Sequence, residues 1–185
     1  MTTTLWMPDV VPAQRQARTR TIEISCGTGT GPTTLAAFDG ALRDAGIANF
    51  NLIRLSSVVP PGTDVVPMNG PVSPIKGEWG DRLYCVYAEM RVDTPGAEAW
   101  AGIGWVQNEE TGKGVFVEHE GHSEDEVRSD IENSLGALVE GRPDTAFGPP
   151  RYVLHGAVSD GTPTCALAVA VYETAGWTID LTGTR

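Results

Sequence analysis

The spacing of apolar residues changes several times along the chain, and each change marks an element. Thr21 to Cys26 (TIEISC) is a short β-rich run. It leads into Gly27-Thr28-Gly29-Thr30-Gly31-Pro32, which predicts a loop. From Thr33 to Gly46, Leu35, Phe38, Leu42 and Ala45 recur at helical steps, with Thr33 or Thr34 placed to cap the N-terminus and Gly46 to stop the helix. Phe50 to Leu55 alternates as a strand and runs into Ser56, Ser57, Val58, Val59 and two prolines. Pro60 to Gly80 is rich in Pro and Gly and predicts a long functional loop rather than a linker. Arg82 to Val92, Glu98 to Gln107 and Val115 to Glu120 then read as strands of an antiparallel meander, with turns at Asp93 to Gly96 and Asn108 to Gly114. Ser123 to Glu140 opens with capping-box spacing, Ser123 to Glu126, and lines up Val127, Ile131, Leu135 and Leu138. Two last strands, Arg151 to Ser159 and Thr164 to Glu173, flank the turn Asp160-Gly161-Thr162-Pro163.

This order predicts a single α+β domain over residues 21–185, layered, mostly antiparallel, with helices on the sheet faces. Met1 to Arg20 is polar and weakly periodic, and reads as a flexible N-terminal arm or an oligomer-contact tail. A chain of 185 residues buries about 70% of the surface its unfolded form exposes, enough for a core without metals or disulfides. The cysteines, Cys26, Cys85 and Cys165, are odd in number and far apart, and no basic segment followed by an apolar run opens the sequence, so a cytoplasmic location is expected. The apolar run Cys165 to Tyr172 has under half the length that crosses a bilayer, so no membrane partner is expected. A net charge of −11 argues against nucleic acid and favours a small cationic substrate.

Three segments are candidates for chemistry. The alternating glycines before the first helix invite a phosphate, but the spacing lacks G-x-G-x-x-G and no P-loop lysine follows; close backbone approach between layers or subunits accounts for them as well. Glu118-His119-Glu120-Gly121-His122 resembles a metal cluster, yet on a strand the carboxylates face opposite to His119, so no metal site is expected. Two carboxylates on one face would instead raise each other's pKa and leave one as a general acid. The third segment is Ser56-Ser57, at the end of an apolar strand. Paired serines there are a strand terminator, or the requirement of a self-cleaving bond: Ser57 attacks the Ser56 carbonyl, the acyl group moves from N to O, and elimination and hydrolysis leave a pyruvoyl group, with backbone strain as the stored driving force.

The block GTGPTTLAAFDGALRDAGIANFNLIRLSSVVPP, with VFVEHEG and CALAVAVYE, resembles the pyruvoyl-dependent arginine decarboxylase family over most of residues 22–173. The resemblance implies an αββα sandwich and cleavage between Ser56 and Ser57 into a β chain (1–56) and an α chain (57–185). The covalent cofactor is then a pyruvoyl group made from Ser57, and no metal is needed. It implies decarboxylation of L-arginine to agmatine and CO₂ through a Schiff base on that group, with Glu118 as proton donor and Asn51 holding a carbonyl in the manner of an oxyanion hole. Asp39 would pair with the substrate's guanidinium, and Asn51 and Ser56 would also line the substrate site. Trimers of processed protomers, with sites between neighbours, and a place in polyamine synthesis or proton consumption complete the expectation. The competing readings are an uncut, noncatalytic homologue serving as a structural or regulatory subunit, and a nucleotide-binding module using the glycine loop.

Overall fold

The computed structural model describes residues 1–6 and 20–177. Twelve elements follow in order: β1 (Thr2–Trp6), β2 (Arg20–Thr30), α1 (Thr34–Asp44), β3 (Asn51–Arg54), β4 (Val58–Val59), β5 (Thr63–Pro67), β6 (Arg82–Val92), β7 (Glu98–Gln107), β8 (Gly114–Gly121), α2 (Glu124–Glu140), β9 (Arg151–Val158) and β10 (Thr164–Ala175). They build two five-stranded sheets, β1-β9-β7-β8-β4 and β3-β6-β10-β2-β5, called here the first and second sheets. All pairings are antiparallel except β2 with β5 and β3 with β6. Ile22, Ile24, Val86 and Ala168 from the second sheet meet Ile103, Trp105, Phe116 and Val153 from the first. Helix α1 covers the outer face of the second sheet through Ala37, Ala41, Leu167 and Val169, and α2 covers that of the first through Val127, Ile131, Leu135 and Leu154. The fold is thus the expected αββα sandwich. Strand β10 is apolar at nearly every position because both of its faces are covered: Ala166, Ala168 and Ala170 point between the sheets, and Cys165, Leu167 and Val169 toward α1.

Both helices carry the expected caps. The Thr33 hydroxyl accepts from Ala36 N–H at 3.1 Å and the Ser123 hydroxyl from Glu126 N–H at 3.2 Å. Glu126 reaches back one residue further than a capping box requires, to the His122 N–H at 2.8 Å.

The glycine segment is not a loop. Gly27 to Thr30 continue β2, because α1 lies directly on them: a Cβ at Gly29 would stand 2.0 Å from Ala37 O, and one at Gly27 2.2 Å from Ala41 O. The helix accordingly buries its small residues, Ala37, Ala41 and Ala45, while Leu35 is 67% exposed and Phe38 and Leu42 flank the contact. The segment from 60 to 80 also contains a strand, β5, which runs parallel to β2 at the sheet edge, where the bracketing prolines are tolerated. Within the expected arm, Thr2–Trp6 form edge strand β1 on β9, held by Trp6 stacked on Tyr152 at 5.5 Å and by the Thr3 hydroxyl 2.7 Å from His155 Nδ1. The rest of the arm, residues 7–19, lies outside the described residues.

Candidate active site

Strand β3 is an edge of the second sheet and β4 is an edge of the first, so Leu55, Ser56 and Ser57 carry the chain from one sheet to the other. Both banks of this crossing are tied. Leu55 N–H donates to Cys85 O on β6 at 3.0 Å, and Phe116 N–H on β8 donates to Ser57 O at 2.8 Å. Between these ties Ser57 takes φ +65°, in the left-handed region that an L-residue with a Cβ rarely occupies. Ser56 is exposed and Ser57 half-buried.

The register Val58↔Val115 sets Ser57 opposite Phe116, and Glu118, two residues on, shares Phe116's face of β8. There the Ser57 hydroxyl donates to Glu118 Oε2 at 2.9 Å. The other carboxylate oxygen, Oε1, is buried without a hydrogen-bond partner among the described residues. Burial pushes the Glu118 carboxyl above its ordinary value, while the Ser57 hydrogen bond and the Arg54 guanidinium pull it down. The expected cause is therefore corrected: Glu120 is exposed, and burial rather than a neighbouring carboxylate raises Glu118. A half-buried carboxyl with one oxygen on a hydroxyl and the other unsatisfied is equipped to exchange a proton with a group at Ser57.

The remaining predicted residues stand apart from this pair in their hydrogen bonding. Asn51, at the start of β3, donates its side-chain N–H to Gly80 O, a carbonyl that also accepts from Trp177 Nε1 at 2.7 Å. Asp39 lies on an exposed face of α1 in an ion pair with Arg43. His119 Nε2 lies 2.8 Å from the Ser134 hydroxyl on α2, and among the described residues no group of three or more His, Cys, Asp or Glu is arranged to hold a metal ion. No helix among them is long and apolar enough to cross a membrane.

Two site neighbours escaped the sequence reading. Arg54 stacks over Tyr87 at 5.1 Å and projects its charge onto Glu118. Tyr172 donates its hydroxyl to Val58 O at 3.1 Å. A signal for Tyr172 exists, a polar-tipped aromatic closing an otherwise apolar strand; Arg54 has none beyond its place beside the serines. A cleft of about 460 Å³ opens beside Glu118, with Phe116, His119 and Leu138 also in its walls.

Comparison with known proteins bears on this geometry. The chain is 40% identical over 97 residues to a pyruvoyl-dependent arginine decarboxylase of Halobacterium salinarum, covering 52% of this chain and 58% of that protein. It is 37% identical over 102 residues to one of Methanocaldococcus jannaschii, covering 55% and 58%, and 38% identical over 113 residues to one of Thermococcus sibiricus, covering 60% and 65%. The matched stretch thus spans less than two thirds of each of these relatives. The model of the family as a whole matches residues 21–176, and so takes in every strand except β1, both helices and the Ser57–Glu118 pair. The chain belongs to the pyruvoyl-dependent arginine decarboxylase family.

Proposed function

We propose that this chain cuts itself between Ser56 and Ser57 and, with the pyruvoyl group so formed, decarboxylates L-arginine to agmatine. The observation that carries the reading is Ser57 itself, strained at φ +65° between two tied strands with its hydroxyl on Glu118. In the cleavage, Ser57 Oγ bonds to the Ser56 carbonyl carbon and that carbon's bond to Ser57 N breaks, the Oγ proton passing to the nitrogen. Loss of the Ser57 Cα proton expels the Ser56 carboxylate and leaves dehydroalanine, and water then releases ammonia. Glu118 Oε2 already accepts from the Oγ–H that must be given up.

The residues present fit the group that results, since Glu118 Oε1 is buried and unpaired among the described residues, in keeping with the need for a proton donor at that position. Once formed, the group supplies a ketone that takes up the substrate's α-amine and an adjacent carbonyl that accepts electrons as CO₂ leaves. Glu118, held toward its protonated form by burial, delivers a proton to the substrate's Cα. Asn51 would have to exchange Gly80 O for a carbonyl at position 57 to serve as a donor there. At Asp39 an incoming guanidinium would displace Arg43, a pairing that favours arginine's planar fork over an ammonium. The net charge of −11 suits a cationic substrate. Assembly as trimers with sites between neighbours belongs to the same proposal.

A denaturing mass spectrum of the purified protein tests it. The expected result is two fragments meeting at Ser56 and Ser57, the larger lighter by one ammonia than a serine-started chain, and a single uncut chain from Ser57→Ala. A wild-type chain that stays whole would overturn the proposal in favour of a noncatalytic subunit.

A further inference from the structure

Resting on that reading, a second question is what keeps the new chain end beside Glu118 once the Ser56–Ser57 bond is gone. Before cleavage the crossing is tied on both sides, by Leu55 to Cys85 and by Ser57 to Phe116. After cleavage only the downstream side remains, and β4 is a two-residue strand at a sheet edge whose Val58 is 55% exposed. So short an edge frays readily.

The opposite sheet supplies a further tie. Strand β10 pairs with β6 in register up to Val171↔Cys85 and resumes at Glu173↔Tyr84, which leaves Tyr172 as the extra residue of a β-bulge. Bulges re-aim side chains and are over-represented beside active sites. This one sends Tyr172 across the gap between the sheets, where its ring meets Phe116 edge-on at 6.1 Å and 72° and its hydroxyl donates to Val58 O at 3.1 Å. Phe116 is the residue whose backbone N–H holds Ser57 O, so the tyrosine touches both the segment after the cut and the residue that grips the cut end. Burial pushes the Tyr172 hydroxyl up from its ordinary value, which keeps it a donor throughout the neutral range.

We infer that Tyr172 is a positioning residue for the mature enzyme: through Val58 it holds the chain end made from Ser57 against Glu118, and it is needed after the bond is cut rather than for the cutting. Tyr172→Phe keeps the ring and its packing and removes only the tie. The test is hydrogen exchange read by mass spectrometry on residues 57–67 and on β8, in cut protein and in the uncut Ser57→Ala chain, each with and without Tyr172→Phe. Cleavage is expected to run to the wild-type extent. In the cut protein, exchange at Val59 and Phe116, the amides of the β4–β8 pairing, should accelerate by about five- to tenfold, the factor one neutral hydrogen bond carries, with kcat falling by a similar factor and KM moving by less than about twofold. In the uncut chain the same substitution should change exchange by less than about twofold, because the upstream tie still holds. Exchange across β7 is the control for an intact fold. Unchanged exchange in cut protein, an equal change in both backgrounds, or failure of Tyr172→Phe to cleave would each overturn the inference while leaving the decarboxylase reading in place. A wild-type chain that never cuts overturns both, and is recognised in the intact mass before any exchange is run.

Discussion

Replacing Ser57 by alanine and by glycine measures how much strain the crossing stores. Both variants lack Oγ, so both remain uncut and both lose the bond to Glu118; they differ only in the Cβ that makes φ +65° unfavourable. A left-handed residue with a Cβ costs about 1–2 kcal/mol. Glycine's extra freedom in the unfolded chain returns roughly 0.5–1 kcal/mol of that. Ser57→Gly should therefore be the more stable of the two by about 0.5–1 kcal/mol, or about 1–4 °C in Tm for a domain of this size. Urea unfolding of the two proteins at equal m-value gives the difference directly. Equal stability, or alanine the more stable, would refute the claim that the backbone at Ser57 is strained. The magnitude also limits what strain does. Even if all of it were released on the way to the acyl shift, about 1–2 kcal/mol would accelerate a step only about five- to thirtyfold, so under the proposed cleavage the larger share of the rate must come from the placing of Oγ and its partner Glu118.

Glu118→Gln keeps an oxygen able to accept from Ser57, so cleavage should continue more slowly while turnover falls by about 10²–10⁴; cleavage by mass spectrometry and agmatine release read the two separately. Its pH dependence has a definite sign: burial sets the folded-state value above the ordinary 4.5, so the carboxyl's contribution to stability is fully present below 4.5 and is lost as pH rises through the raised value, and Glu118→Gln should gain on wild type over that window in thermal melts. Turnover in the wild type should fall as pH climbs through the same raised value. At the α1 contact, Gly29→Ala places a Cβ 2.0 Å from Ala37 O and 2.3 Å from Ala41 N, backbone atoms that cannot step aside, whereas Gly136→Ala in α2 meets nothing within 4 Å. The first should destabilise by about 3 kcal/mol and the second stabilise by about 0.5–1 kcal/mol, and equal melts for the two would contradict the close packing.

The glycine contrast also explains which parts of the fold the sequence disclosed. Helix α2 meets its sheet through large side chains, and Val127, Ile131 and Leu135 announce that face by their spacing. Helix α1 meets β2 so closely that the buried line is Ala37-Ala41-Ala45, of which the helical spacing picks out Ala45 alone, beside Leu35, Phe38 and Leu42, which lie off that line. The same closeness turned Gly27 to Thr30 from an expected loop into strand. Strands β1 and β5 are edges whose existence depends on β9 and β2 rather than on their own alternation, and neither is marked locally. At the site, the serine pair was legible as a motif and Glu118 as a carboxylate on a strand. Their meeting was not legible, because it depends on the register between β4 and β8 across more than fifty intervening residues. Nor was the source of Glu118's raised pKa, since burial is a property of the packed sheets.

Under the proposed self-cleavage, the serine pair stands where a cut chain would hold together. Residues 1–56 supply β1 to the first sheet and β2, β3 and α1 to the second, and the rest of the chain supplies the other strands. Strand β2 lies between β10 and β5, both of which come from beyond Ser57. Separating the pieces would therefore break two strand pairings of β2, strip α1 from β10 and pull β1 from β9. A cut inside a strand would unpair a ladder, and one in a remote loop would leave the new end far from any acid. At the crossing between sheets each new end would lie within two residues of a strand, β3 on one side and β4 on the other, and the end that carries the chemistry would remain beside the sheet that holds Glu118.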